Sequence, residues 1–197
     1  MCCYGKFLRS SHFTIMTNPE TSHDFPRILN ESAHLLRQNR PAEAAELLEP
    51  LHEHAPEHPD VAINLGGAYI LQRKWNQAAK ILSRAAISNP DNAMLWTNLG
   101  AAELGNIQTA GPKQQERAIR AYERALQADP TAPNVHYHLG LIYTERGELM
   151  RASAFFQRAL EVKPSDRDAR YWLDQVGKLI VQEQAERRKS AETDDSD

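Results

Sequence analysis

A glycine recurs in this chain inside the same short phrase. Gly66 to Gly100 is 34 residues, and Gly100 to Gly140 is 40. The phrases are Asn64-Leu65-Gly66-Gly67-Ala68-Tyr69, Asn98-Leu99-Gly100 and His138-Leu139-Gly140-Leu141-Ile142-Tyr143. Downstream of each lies an alanine (Ala78, Ala118, Ala152) and then a proline (Pro90, Pro130, Pro164). A period of this size is the mark of a stacked array, in which each unit buries its apolar face only against its neighbours.

The period has a direct physical reading. Leu65 and Tyr69, like Leu139 and Tyr143, are spaced i,i+4 and share a helix face. Glycine inside a helix costs about 1 kcal/mol against alanine, so its recurrence marks a close crossing with a second helix that opens at the small Ala78, Ala118 and Ala152. Proline ends that second helix, because it lacks the donor and clashes with the preceding turn. Each unit is therefore a helical hairpin.

The order Trp96-Thr97-Asn98-Leu99-Gly100, the Leu-Gly-x2-Tyr of Leu139 to Tyr143, the Ala-x3-Phe of Ala152 to Phe156 and the closing Pro164 resemble the tetratricopeptide repeat. The resemblance covers residues 25–189. It implies an all-α, right-handed α-α superhelical solenoid of four hairpins (about 25–58, 59–92, 93–132 and 133–166) with a capping helix over 167–189.

Composition narrows the function classes. The chain has 197 residues, 23 basic against 26 acidic, for a net charge of -3; a nucleic-acid binder would show a strongly basic face. No apolar run approaches the roughly 20 residues of a membrane span. The two cysteines, Cys2 and Cys3, are adjacent. Their Cα atoms are about 3.8 Å apart, below the roughly 4.4–6.8 Å usual for a disulfide. A reducing, cytoplasmic setting is expected.

Residues 1–24 lack a helical period and read as disordered, with Met16 an alternative start to Met1. Nothing near Cys2-Cys3 supplies a lipidation context. The first hairpin is degenerate, with Ser32 in the glycine position and Pro41 opening its second helix. Trp75 is expected to cover the end of the second hairpin. The third departs twice: Glu103 replaces the tyrosine, and six extra residues fall around Gly105-Asn106-Ile107-Gln108-Thr109-Ala110-Gly111, which reads as a loop before Pro112. Pro133 is taken to open the fourth hairpin. Tyr171, Trp172, Val176, Leu179 and Ile180 are read as the packing stripe of the cap. Residues 190–197 are acidic and read as a disordered tail.

Catalytic signatures are missing from the sequence: no Walker loop, no Gly-x-Gly-x-x-Gly after a strand, no His-Glu-x-x-His and no Cys-x-x-Cys. His52, His54 and His58 lie near Glu53, Glu57 and Asp60, but Pro56 and Pro59 break the spacing that would align them as metal ligands. They read as a solvated turn, and no metal or cofactor is expected. Glu46, Glu123 and Glu161 read as a solvated outer face.

The resemblance implies a non-enzymatic adaptor that holds a peptide or helix of a partner protein in a concave groove lined by the first helices; self-association or an accessory role in a larger complex is the alternative. The residue two before each glycine lies about 200° around the helix from it, pointing into that groove. Asn30, Asn64, Asn98 and His138 hold this place. Around them Leu29, Ile63, Ile70, Leu71, Met94, Leu104, Tyr137 and Leu141 would make the groove apolar. Leu29, Ala33 and Met94 stand where members that grip chaperone tails carry Lys or Asn, so acidic tails are not the expected ligand.

Overall fold

A computed structural model describes residues 24–194, with side chains as far as Lys189. The readings for the N-terminal segment, its start and Cys2-Cys3 lie outside the described residues, as does the end of the acidic tail. The described residues form nine helices and no strand: α1 Asp24–Arg37, α2 Pro41–His54, α3 Pro59–Leu71, α4 Trp75–Ser88, α5 Ala93–Leu104, α6 Pro112–Ala128, α7 Val135–Glu145, α8 Leu149–Val162 and α9 Arg167–Asp194. They pair as four hairpins with α9 closing the end. Among the described residues no helix is long and apolar enough to cross a membrane.

The glycine crossings are real, but their contact lies one turn beyond the alanines. A Cβ on Gly66 would fall 2.6 Å from Leu82, on Gly100 2.6 Å from Tyr122, and on Gly140 2.6 Å from Phe156. These partners follow Ala78, Ala118 and Ala152 by four residues. In the first hairpin the fully buried Ser32 fits because its hydroxyl folds back, donating to Leu29 O at 2.8 Å. The second helices end at His54, Ser88, Ala128 and Val162, each two residues before its proline.

Three of the hairpin turns repeat one backbone device. Asn39, Arg73 and Gly147 are left-handed, with φ of 58°, 58° and 70°. The next amide reaches back to close the helix: Arg40 N–H to Leu35 O at 2.9 Å, Lys74 N–H to Tyr69 O at 2.8 Å, Glu148 N–H to Tyr143 O at 2.9 Å. This is a Schellman closure, which satisfies carbonyls that the helix end leaves free.

The insertion in the third hairpin breaks that device. Gly105 (φ 63°) ends α5, and Trp75 of the previous hairpin packs 3.5 Å from where its Cβ would be. Trp75 thus covers the start of the inserted loop of the third hairpin. The extra residues are shared between that loop and a longer α6, whose start is fixed by Pro112 and by Gln114 Oε1 accepting from Gly111 N–H at 3.1 Å. Glu103, in the tyrosine's place, pairs with Arg117 across the hairpin.

In the fourth hairpin, Asn134 takes a left-handed conformation (φ 63°) and α7 starts at Val135, two residues after Pro133. Two expectations need correction. The cap continues to Asp194, beyond 189, because Ala-Glu-Thr extends the helix with no breaker before it. Its packing stripe also differs. Ala169 and Val176 are fully buried, with Trp172, Leu173 and Ile180 packed beside them, whereas Tyr171 and Leu179 are 58% and 44% exposed.

Candidate inner-face binding site

Packing decides which face is the inner one. α1 packs on α3 and α3 on α5, while the second helices do not pack on one another in this way. The layer whose members touch across the array lies inside its curve. α7 approaches the third hairpin less closely than α3 and α5 approach theirs, and does not lie on α5 as α5 lies on α3. Large rings fill the gap: His138 of α7 stacks on buried Tyr122 of α6 at 5.6 Å and 10°.

Asn64 and Asn98 are half-exposed at the same register of α3 and α5. Among the described residues neither amide has a hydrogen-bond partner within the chain. Asn30 is exposed on α1. Leu71 and Met94 are 52% and 55% exposed, and Leu29, Ile63, Ile70, Tyr137 and Leu141 are half-buried beside the core. The Cβ of a residue at position 67 would meet nothing within 4 Å, so the backbone at Gly67 is open as well.

Two of the expected residues behave differently. Leu104 is 5% exposed and belongs to the core, because the loop after Gly105 folds Ile107 and Ala110 against the same cluster. His138 continues the asparagine row in sequence, yet its ring is stacked on Tyr122 and meets Tyr137 edge-on at 5.6 Å. Burial of that ring lowers the pKa of His138.

The histidines near Pro56 do not gather. His54 Nδ1 pairs with Pro50 O at 2.7 Å, while His52 and His58 bury their Nδ1 atoms without a partner and are not the solvated turn expected. Phe25 meets His58 edge-on at 4.9 Å.

Tyr171 and Trp172 were not among the expected site residues. They lie 34 residues after Tyr137 and His138, where counting by the repeat period assigns the inner face. Carrying the period one step into the cap would have found them.

Family comparison fits this geometry. Tetratricopeptide repeat profiles match residues 35–102 and 133–166, and a TPR repeat profile matches 113–147. The chain is a tetratricopeptide repeat protein. It is 27% identical over 111 residues to anaphase-promoting complex subunit 3 of Schizosaccharomyces pombe, covering 56% of this chain and 16% of that protein. It is 32% identical over 82 residues to the peroxisomal targeting signal receptor of Candida albicans, covering 42% and 13%. This tetratricopeptide chain therefore spans only a small part of the length of the curated relatives it matches. A tetratricopeptide repeat protein of Thermus thermophilus superposes with a TM-score of 0.68 at 19% identity, covering 79% of this chain and 82% of that one, which establishes the shared fold.

Proposed function

We propose that this array is a protein-interaction module whose inner face holds an extended or partly helical segment of a partner protein. The observation that carries the reading is the pair of half-exposed amides at Asn64 and Asn98, 34 residues apart and without a hydrogen-bond partner among the described residues. Each amide offers two donors and one acceptor, which suits the C=O and N–H of a bound backbone whatever its side chains. Leu71, Met94, Ile63 and Ile70 beside them favour apolar side chains in the ligand. Covering exposed apolar surface contributes roughly 25 cal/mol per Å², so these contacts supply affinity while the amides fix position.

The test uses short random peptides displayed on phage and selected on the full chain. A selected peptide is then measured against an Asn64→Ala, Asn98→Ala double variant shown by circular dichroism to be folded. Each lost hydrogen bond is expected to weaken binding by about 0.5–1.5 kcal/mol. Unchanged affinity would remove the asparagines from the binding role.

A further inference from the structure

Four rings near the surface of this array carry cations of the chain's own. Lys74 stands over Tyr69 at 5.5 Å, Arg124 over Trp96 at 5.3 Å and Arg158 over Phe155 at 5.6 Å. Arg146 and Arg151 flank Tyr143 at 5.9 and 5.6 Å. Among the described residues Trp75, packed beside Gly105, and one connected group of rings lack this cover. From buried Tyr122 a line of rings runs through His138 (5.6 Å), Tyr137 (5.6 Å), Phe156 (6.0 Å) and Trp172 (6.4 Å) to Tyr171 (5.8 Å). The line starts in the core and ends on the inner face at Tyr171, 58% exposed.

Among the described residues no cation stands over Tyr137, Trp172 or Tyr171. The basic residues of α9 are engaged or aimed elsewhere. Arg170 donates to Pro164 O at 2.7 Å, Lys178 pairs with Asp174 at 2.6 Å, and Arg167, one turn before Tyr171, covers no ring. An anion is present instead. At about 100° per residue, Asp168 falls between Tyr171 and Trp172 around the helix, and among the described residues it has no ion-pair partner. Burial first, then the charges of Asp168 and Asp166, raise the pKa of Tyr137, opposed by the Trp172 indole. The carboxylates therefore act on this ring group. An acid in the first turn favours the helix dipole, which accounts for Asp168 alone but not for the bare rings beside it.

We propose that this end of the inner face takes an arginine or lysine side chain of the bound segment, laid over Tyr171 and Trp172 and charge-paired with Asp168. The proposal rests on the inner-face reading above. A cation over an aromatic face is attracted by the ring quadrupole, and a planar guanidinium can stack and pair with a carboxylate at once. The ligand supplies the cation that the chain itself supplies at Tyr69, Trp96, Tyr143 and Phe155.

The experiment is the same selection of short random peptides on the full chain, followed by fluorescence anisotropy. The expected peptides carry a basic residue at a fixed distance from an apolar one. Replacing that residue by norleucine should weaken binding to the wild type by roughly 2- to 30-fold, the range of a cation–π contact. The loss should be much smaller on an Asp168→Asn, Tyr171→Ser variant whose helicity is unchanged. An equal loss on both proteins, or a consensus with an apolar or acidic residue at that place, overturns the proposal and leaves the inner-face reading standing. Failure of the wild type to select any peptide sinks both.

Discussion

The Cβ that Gly140 lacks would lie 2.6 Å from the Phe156 ring. Phe156 is fully buried and in ring contact with both Tyr137 and Trp172, so it has no free space to retreat into. Gly140→Ala should therefore destabilise the array by about 1–3 kcal/mol, the usual cost of overpacking. Gly177 is the control. It is helical too, but a Cβ there meets nothing within 4 Å, so Gly177→Ala should stabilise by about 0.5–1 kcal/mol. Urea midpoints moving in opposite directions would establish the contrast; equal shifts would refute it.

Arg73 holds a left-handed conformation (φ 58°) at a place where the last hairpin has Gly147. For a residue with a side chain that conformation costs roughly 1–2 kcal/mol. Arg73→Gly relieves the strain, at the expense of a more flexible unfolded chain. The net expectation is a gain of up to about 1 kcal/mol, read as a rise in melting temperature. A fall would mean that the arginine side chain contributes more than its backbone costs.

His52, His136 and His138 are all held below the ordinary histidine pKa, foremost by burial, with Arg84 adding to it at His52 and Arg158 at His136. The unfolded chain, with pKa near 6.5, then binds these protons first as pH falls. Stability should be flat above about pH 7.5, decline as pH passes through about 6.5, and level out below the folded-state values. Glu57 and Asp166 are shifted down and contribute their loss only at more acid pH. Urea midpoints at about pH 7.5 and 5.5 test this, and His138→Gln should reduce the difference. Coincident midpoints would exclude it.

Removing residues 167–197 strips Trp172, Leu173 and Val176 from the fourth hairpin and bares the Phe156 side of its core. An exposed apolar patch of that kind drives association. Light scattering should show aggregation of the truncated chain at concentrations where the full chain is clear. A truncated chain that stays monomeric with proportionate helicity would show that the cap is dispensable.

The hairpins were legible because the same steric problem recurs at Gly66, Gly100 and Gly140 and is solved each time by the same residue type. The prolines carried equal information, since each marks the same distance past a helix end. Legibility failed where the period was broken. Leu104 occupies an inner-face register by counting, but the insertion at Gly105 folds over it, and counting carries no knowledge of loops. Pro133 marked the start of the fourth repeat, but the count did not show that Asn134 turns left-handed, which asparagine tolerates, and that α7 begins at Val135. The asparagine row was visible as a row. That His138 would leave it to stack on Tyr122 depended on the spacing between α6 and α7, a tertiary quantity with no local signature.

That spacing has a consequence for how the array melts. A stack of hairpins behaves as a one-dimensional lattice in which order passes only between neighbours. Every step but one is made by backbones in close approach; the step from α6 to α7 is bridged by side chains, His138 stacked on Tyr122 among them. Coupling is weakest there, so α7, α8 and α9 should open as one block before α1 to α6 let go, and amide exchange should show a step in protection at that seam.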